Sequence, residues 1–187
     1  MWAKRNNPGF TIVELLIVIV VIAILAAVTT VAYSGMQQRA RNTAIVNAVA
    51  QSIKTIVAYT STNGAYPAAN ITTCVTSTSG CGNASGSVSG TNSTFETNMA
   101  TIGTLPRTVP IEGPTRYGIR YTHDAARTYE GVSAPASMMY YLHGTSQPCQ
   151  LANIQTQVSP STAVTTGYTS NIGDRTFCMV LVPGPVA

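Results

Sequence analysis

Charge is the scarcest property of this 187-residue chain. Asp, Glu, Lys and Arg together make up 9% of it, against about 25% in an average soluble domain. So little charge excludes the densely charged surface of a typical cytosolic protein and fits an exported one. No run of Lys or Arg could track a phosphate backbone, so the net charge of +4 is a poor argument for nucleic-acid binding. No glycine-rich phosphate loop and no GxGxxG occur. Asp124, Glu130 and Asp174 are too scattered for a calcium loop, and His123 and His143 stand apart from any cysteine pair, against a zinc site. His123-Asp124 is the one adjacent His/Asp pair; a catalytic reading needs a nucleophile oriented by it, and Ser and Thr are so common here that one nearby carries no information. The expectation is a non-enzyme with no cofactor or metal, and a surface turn at 123–124. Proline is missing between Gly9 and Pro67, so nothing there forbids one long helix.

What is present is concentrated at the N-terminus. Met1 to Gly9 carries Lys4 and Arg5 and no acid. From Phe10 to Tyr33 there is one charge, Glu14, and from Leu15 to Val28 every side chain is apolar. As a helix rising ~1.5 Å per residue, this stretch exceeds a hydrocarbon core of about 30 Å. Lys4 and Arg5 favour a cytoplasmic N-terminus with the remainder outside. An ordinary signal peptide, cut near Ala26-Ala27 or between Ala32 and Ser34, and a plain membrane anchor are the competing readings. Neither explains Pro8-Gly9 directly before the run, nor a carboxylate inside it. A charge buried in hydrocarbon requires a partner.

Gly9-Phe10-Thr11-Ile12-Val13-Glu14-Leu15-Leu16 resembles the processing motif of type IV pilins and of the pseudopilins of type II secretion. The resemblance implies cleavage between Gly9 and Phe10 by a prepilin peptidase, which then methylates the new Phe10 amine. It implies that Glu14 is the assembly carboxylate, pairing with the N-terminal amine of a neighbouring subunit. The implied partners are further copies in a helical filament, other minor pilins, and an inner-membrane platform driven by an external ATPase. The implied location is a single-pass plasma-membrane protein before assembly and an extracellular filament after it. The role implied is a structural subunit of a type IV pilus or pilus-like filament, serving adhesion, motility or DNA uptake. A type II secretion pseudopilin, or a minor initiating or tip pilin, is the alternative.

Beyond the apolar run the helical pattern continues. Ile45, Val49, Ile53 and Ile56 recur at spacings of one helix face. Asn63-Gly64 forms a C-cap signal and Pro67 blocks continuation. The spacing predicts a helix from about Thr11 to Thr62, curved gently rather than broken at Gly35. The expected parts are a cytoplasmic leader over 1–9, a transmembrane and filament-core half of the stem over 10–33, an amphipathic half over 34–62, and an extracytoplasmic head over 63–187. The fold class expected is α+β and pilin-like, a long N-terminal helix packed on a small antiparallel sheet.

Residues 70–104 are rich in Ser, Thr, Gly and Asn and read as a long surface connection with a short helix near Thr94–Ile102. Asn70, Asn83 and Asn92 fit the glycosylation pattern formally. Strands are expected around Tyr117–Tyr121, Thr128–Glu130, Ser137–Leu142 and Thr176–Val182, three or four of them in one sheet. Residues Gln147–Arg175 read as a cysteine-bounded loop. Cys74, Cys81, Cys149 and Cys178 allow three complete pairings. Cys74 and Cys81 close a short loop and are the preferred pair, with Cys149 then bonded to Cys178. Disulfides imply an oxidising compartment. Tyr117, Tyr121, Tyr129, Tyr140 and Tyr141 are expected in packing. With Arg116, Arg120 and Arg127 nearby they also outline a possible DNA contact, unsupported by any further feature.

Overall fold

The computed structural model describes residues 9–76, 80–82, 88–107, 117–129, 132–149, 151 and 169–185. Helix α1 covers Ile12–Asn63 without a break, one residue on from each predicted end. The chain divides into two compact units, residues 1–39 and residues 40–187.

The first unit is the N-terminal part of α1. Its large apolar side chains from Phe10 to Val28 are all exposed, between 47% at Val20 and 85% at Ile12. By length and composition this helix is able to cross a membrane. Gly35 meets no other atoms within 4 Å of a notional Cβ, so close packing does not demand glycine there.

In the second unit the remainder of α1 lies against an antiparallel sheet. Its strands are β1 (Ile71–Cys74), β4 (Arg120–His123), β7 (Ala136–His143), β8 (Thr169–Ile172) and β9 (Arg175–Leu181), in the order β1-β4-β7-β9-β8. Five strands stand where three or four were expected. Two short ribbons accompany them: β2 (Cys81–Gly82) with β3 (Val88–Ser89), and β5 (Thr128–Tyr129) with β6 (Val132–Ser133). The predicted strand at 128–130 thus belongs to a separate ribbon; Glu130 lies outside the described residues. The 117–121 strand starts later than predicted, at Arg120.

The core follows from the period-2 alternation of the strands. On β7, Ala136, Met138, Tyr140 and Leu142 are buried, and Val180 and Cys178 on β9 pair with Met138 and Tyr140. These residues form one apolar cluster with Ile45, Val49, Ile53 and Ile56. The helical stripe read from the sequence is therefore the floor of the core. Asn42 adds a polar clasp: its Oδ1 accepts from the His143 N–H at 2.8 Å and its Nδ2 donates to the His143 carbonyl at 3.0 Å. One side chain on α1 so satisfies both backbone groups at the end of β7.

Among the described residues of 70–104, the short helix expected near 94–102 is present, but the segment before it is in part an ordered, buried strand rather than a surface connection. Ile71–Cys74 is an edge strand, and Thr73, Cys74, Val75 and Thr76 are buried. The two threonines tolerate burial because their hydroxyls are used. Thr73 Oγ1 accepts from the Asn92 N–H at 2.9 Å, and Thr76 Oγ1 from the Ile119 N–H at 3.0 Å. Helix α2 (Ser93–Ala100) is capped by Asn92, whose Oδ1 accepts from the Phe95 N–H at 2.9 Å. Its Phe95 stacks on Tyr121 with ring centroids 5.0 Å apart.

Both disulfides join the preferred pairs, Cys74–Cys81 and Cys149–Cys178. Gly118 shows why the first leaves no slack. Its φ is +78°, and a Cβ there would lie 2.5 Å from the Cys81 Cβ, so both backbone and packing demand glycine. The end of the predicted 147–175 loop is also a correction: Thr169–Ile172 pairs with Arg175–Cys178 across a Gly173-Asp174 turn.

Candidate processing and assembly site

Gly9, Phe10 and Thr11 precede the helix, and α1 starts at Ile12. Gly9 and Phe10 are exposed, with nothing near a notional Gly9 Cβ. The peptide bond between them is therefore open along an uncoiled segment, the condition a peptidase needs to bind backbone in extended form.

Glu14 is three residues past Thr11, and the two side chains cap the helix reciprocally. Glu14 Oε2 accepts from the Thr11 N–H at 2.9 Å and from the Thr11 hydroxyl at 2.8 Å. Thr11 Oγ1 in turn accepts from the Glu14 N–H at 3.2 Å. This is a capping box, in which two backbone donors of the first turn find acceptors they would otherwise lack. A negative carboxylate there also complements the helix dipole. The T-x-x-E spacing is legible in the sequence, but the resemblance assigns Glu14 only to a neighbouring subunit, and the local capping role comes from the structure. Both Thr11 bonds fall on one oxygen. Among the described residues, Oε1 has no bond, so the carboxylate can hold the cap and still accept from an external cation.

Residues 4–30 match the prokaryotic N-terminal methylation motif. The N-terminus is that of a pilin-like prepilin. No curated protein and no solved structure matches the chain. For a prepilin the motif implies processing by a prepilin peptidase and assembly with other pilins. The exposed apolar run from Phe10 to Val28 lies within the matched segment and suits a membrane-embedded precursor.

The remaining sequence candidates separate by burial. His123 is not in a surface turn: it is the last residue of β4 and 7% exposed, while Asp124 beside it is exposed. The Asn70 backbone N–H donates to the His123 Nδ1 and fixes the ring. Tyr121, Tyr140 and Tyr141 are buried, which removes them from a stacking surface. Tyr140 donates to the Cys149 carbonyl at 2.9 Å, and burial raises the Tyr121 and Tyr140 pKa values. Tyr117 is half-buried. Arg116 lies outside the described residues, and so do Asn83 and the side chain of Tyr129. Of the other two formal glycosylation sites, Asn92 caps α2 and Asn70 Oδ1 accepts from the Ala125 N–H at 3.1 Å.

Proposed function

We propose that the prepilin is a structural subunit of a type IV pilus or pilus-like surface filament. It is cut between Gly9 and Phe10, methylated on the Phe10 amine, and assembled through α1. The observation that carries this reading is Glu14, the one charge in the exposed and largely apolar stretch from Phe10 to Val28. A hydrophobic helix needs no carboxylate to sit in lipid. A subunit that must take a fixed axial position against its neighbours does, because apolar packing alone leaves helices free to slide.

The working cycle is mechanical. Lipid holds the processed monomer by residues 10–33. Assembly moves that segment from lipid into a bundle of identical stems, a transfer nearly neutral in apolar area. Glu14 against the neighbouring Phe10 ammonium supplies register. The work comes from an ATPase on the membrane platform. The head, braced by two disulfides, forms the outer surface, where adhesion, motility or DNA uptake would act.

Fibres sheared from cells test the role. The chain is expected as their main component. Trace amounts would mean a minor initiating or tip pilin. Absence from fibres, with failure to export secreted enzymes when the gene is deleted, would mean a type II secretion pseudopilin.

A further inference from the structure

His123 is a buried ionisable group outside the proposed processing and assembly site. Its ring is tilted against Tyr66, with centroids 4.8 Å apart. Nδ1 accepts a hydrogen bond from the Asn70 backbone N–H at 3.0 Å. Asn70 has a left-handed φ of 50°, uncommon for a residue with a side chain, and its own Oδ1 accepts from the Ala125 N–H. Asn70 therefore holds both His123 and the turn that follows it. Directly after Asn70 comes β1, whose Ile71 and Thr72 pair with His123 and Thr122. Tyr66 is also confined at its hydroxyl end, since a Cβ on Gly184 would lie 2.9 Å from the Tyr66 hydroxyl.

The geometry points to an acid-released latch, in which neutral His123 fastens Tyr66–Asn70 and the first half of β1 onto β4. An imidazole nitrogen accepts a hydrogen bond only while it lacks a proton; in the imidazolium both nitrogens are donors. Protonation would set an N–H against the Asn70 N–H and break the tie.

The groups around the ring decide how readily this happens. The helix-exit segment offers Tyr66, and β4 itself offers Tyr121. The following turn offers Asp124 and Arg127. Opposite the ring, β1 and β7 present Ile71 and Ala136, which do not ionise. Burial is the largest influence and lowers the His123 pKa; Asp124 acts upward and Arg127 downward. The net direction is below the ordinary value of about 6.5. In the open state the ring is hydrated and titrates near that ordinary value, so the open state binds more protons. The latch is thus fully closed above about pH 6.5 and weakens as pH falls toward the closed-state pKa. Each unit separating the two pKa values is about a tenfold change in the opening equilibrium. Opening bares the backbone edge of β4 at Thr122 and His123.

Amide hydrogen exchange on the full chain in detergent tests this, read as protection factors corrected for intrinsic exchange, between about pH 7.5 and about pH 5. Protection at Asn70–Thr73 is expected to fall in acid while that of β7 and β9 holds. In H123N the amide oxygen occupies the Nδ1 position, accepts the same bond and cannot titrate, so protection is expected to stay level. Loss of protection in H123N equal to that of the parent would overturn the latch, as would level protection in the parent. Should H123N not fold, the ring resonances of the parent decide. A loss of Asn70 protection that follows His123 titration supports the latch; one that follows His143 contradicts it.

Discussion

An E14A chain is expected to insert in the membrane and lose its leader normally, yet to enter fibres at least roughly a hundredfold less often, because it strands one ammonium in an apolar bundle. Two effects are mixed in this substitution. Glu14 caps its own helix through Thr11, and it is the proposed acceptor for a neighbouring Phe10 amine. E14Q separates them. Glutamine serves a capping box about as well as glutamate, so the helix start is kept, but the negative charge is gone. If charge pairing sets register, E14Q fails nearly as badly as E14A. If the cap alone matters, E14Q builds normal fibres, and quantifying fibres from the two strains beside the parent decides between them. The pairing should win. The cap is available in the membrane monomer as well as in the filament, so it favours neither state, whereas a neighbouring ammonium exists only after assembly.

The second large effect is on the head. Removing the Cys149–Cys178 bond by a double Ser substitution is expected to lower head stability by about 3.6 kcal/mol, the chain-entropy value for a loop of 29 residues. The Cys74–Cys81 bond closes 7 residues and by the same relation contributes about 2.4 kcal/mol. The order follows from loop length, since a longer loop costs the reduced chain more entropy to close. Local packing acts in the same direction for the longer bond. Tyr140 donates to the Cys149 carbonyl and its β9 partner is Cys178, so the bond clamps the centre of the core. Urea unfolding of the two double variants, read by tyrosine fluorescence, checks both the size and the order. Equal losses would show that loop closure is not the governing cost.

The parts of this fold that show in the sequence are those carried by apolar side chains. Ile45, Val49, Ile53 and Ile56 mark a helix face, and all four are buried. Ser137–Leu142 and Thr176–Val182 come within one residue of the observed strands, because Met138, Tyr140, Leu142 and Val180 supply the alternation. What was missed is carried by polar atoms. Edge strand β1 reads as loop because its buried Thr73 hides a hydroxyl whose partner, the Asn92 N–H, is 19 residues away. Strand β8 has no apolar alternation: its sequence is Thr-Ser-Asn-Ile. His123 looked like a turn residue beside Asp124, and its bond to Asn70 spans 53 positions. Composition reports how much polar surface a segment has, but not where its hydrogen bonds go. At the N-terminus the reverse holds. Gly9 and Glu14 stand out in sequence because each breaks the local pattern, a glycine before an apolar run and a charge within it, and together they mark Phe10 as its start.

The central claim is the cut between Gly9 and Phe10, since every later step needs the free amine it creates. Mass spectrometry of the mature N-terminal peptide, from membranes and from sheared fibres, tests it most directly. The expected peptide starts at Phe10 and carries one N-methyl group. A mature chain starting near Ala27 or Ser34 would mean an ordinary signal peptide and no stem, and would contradict the account.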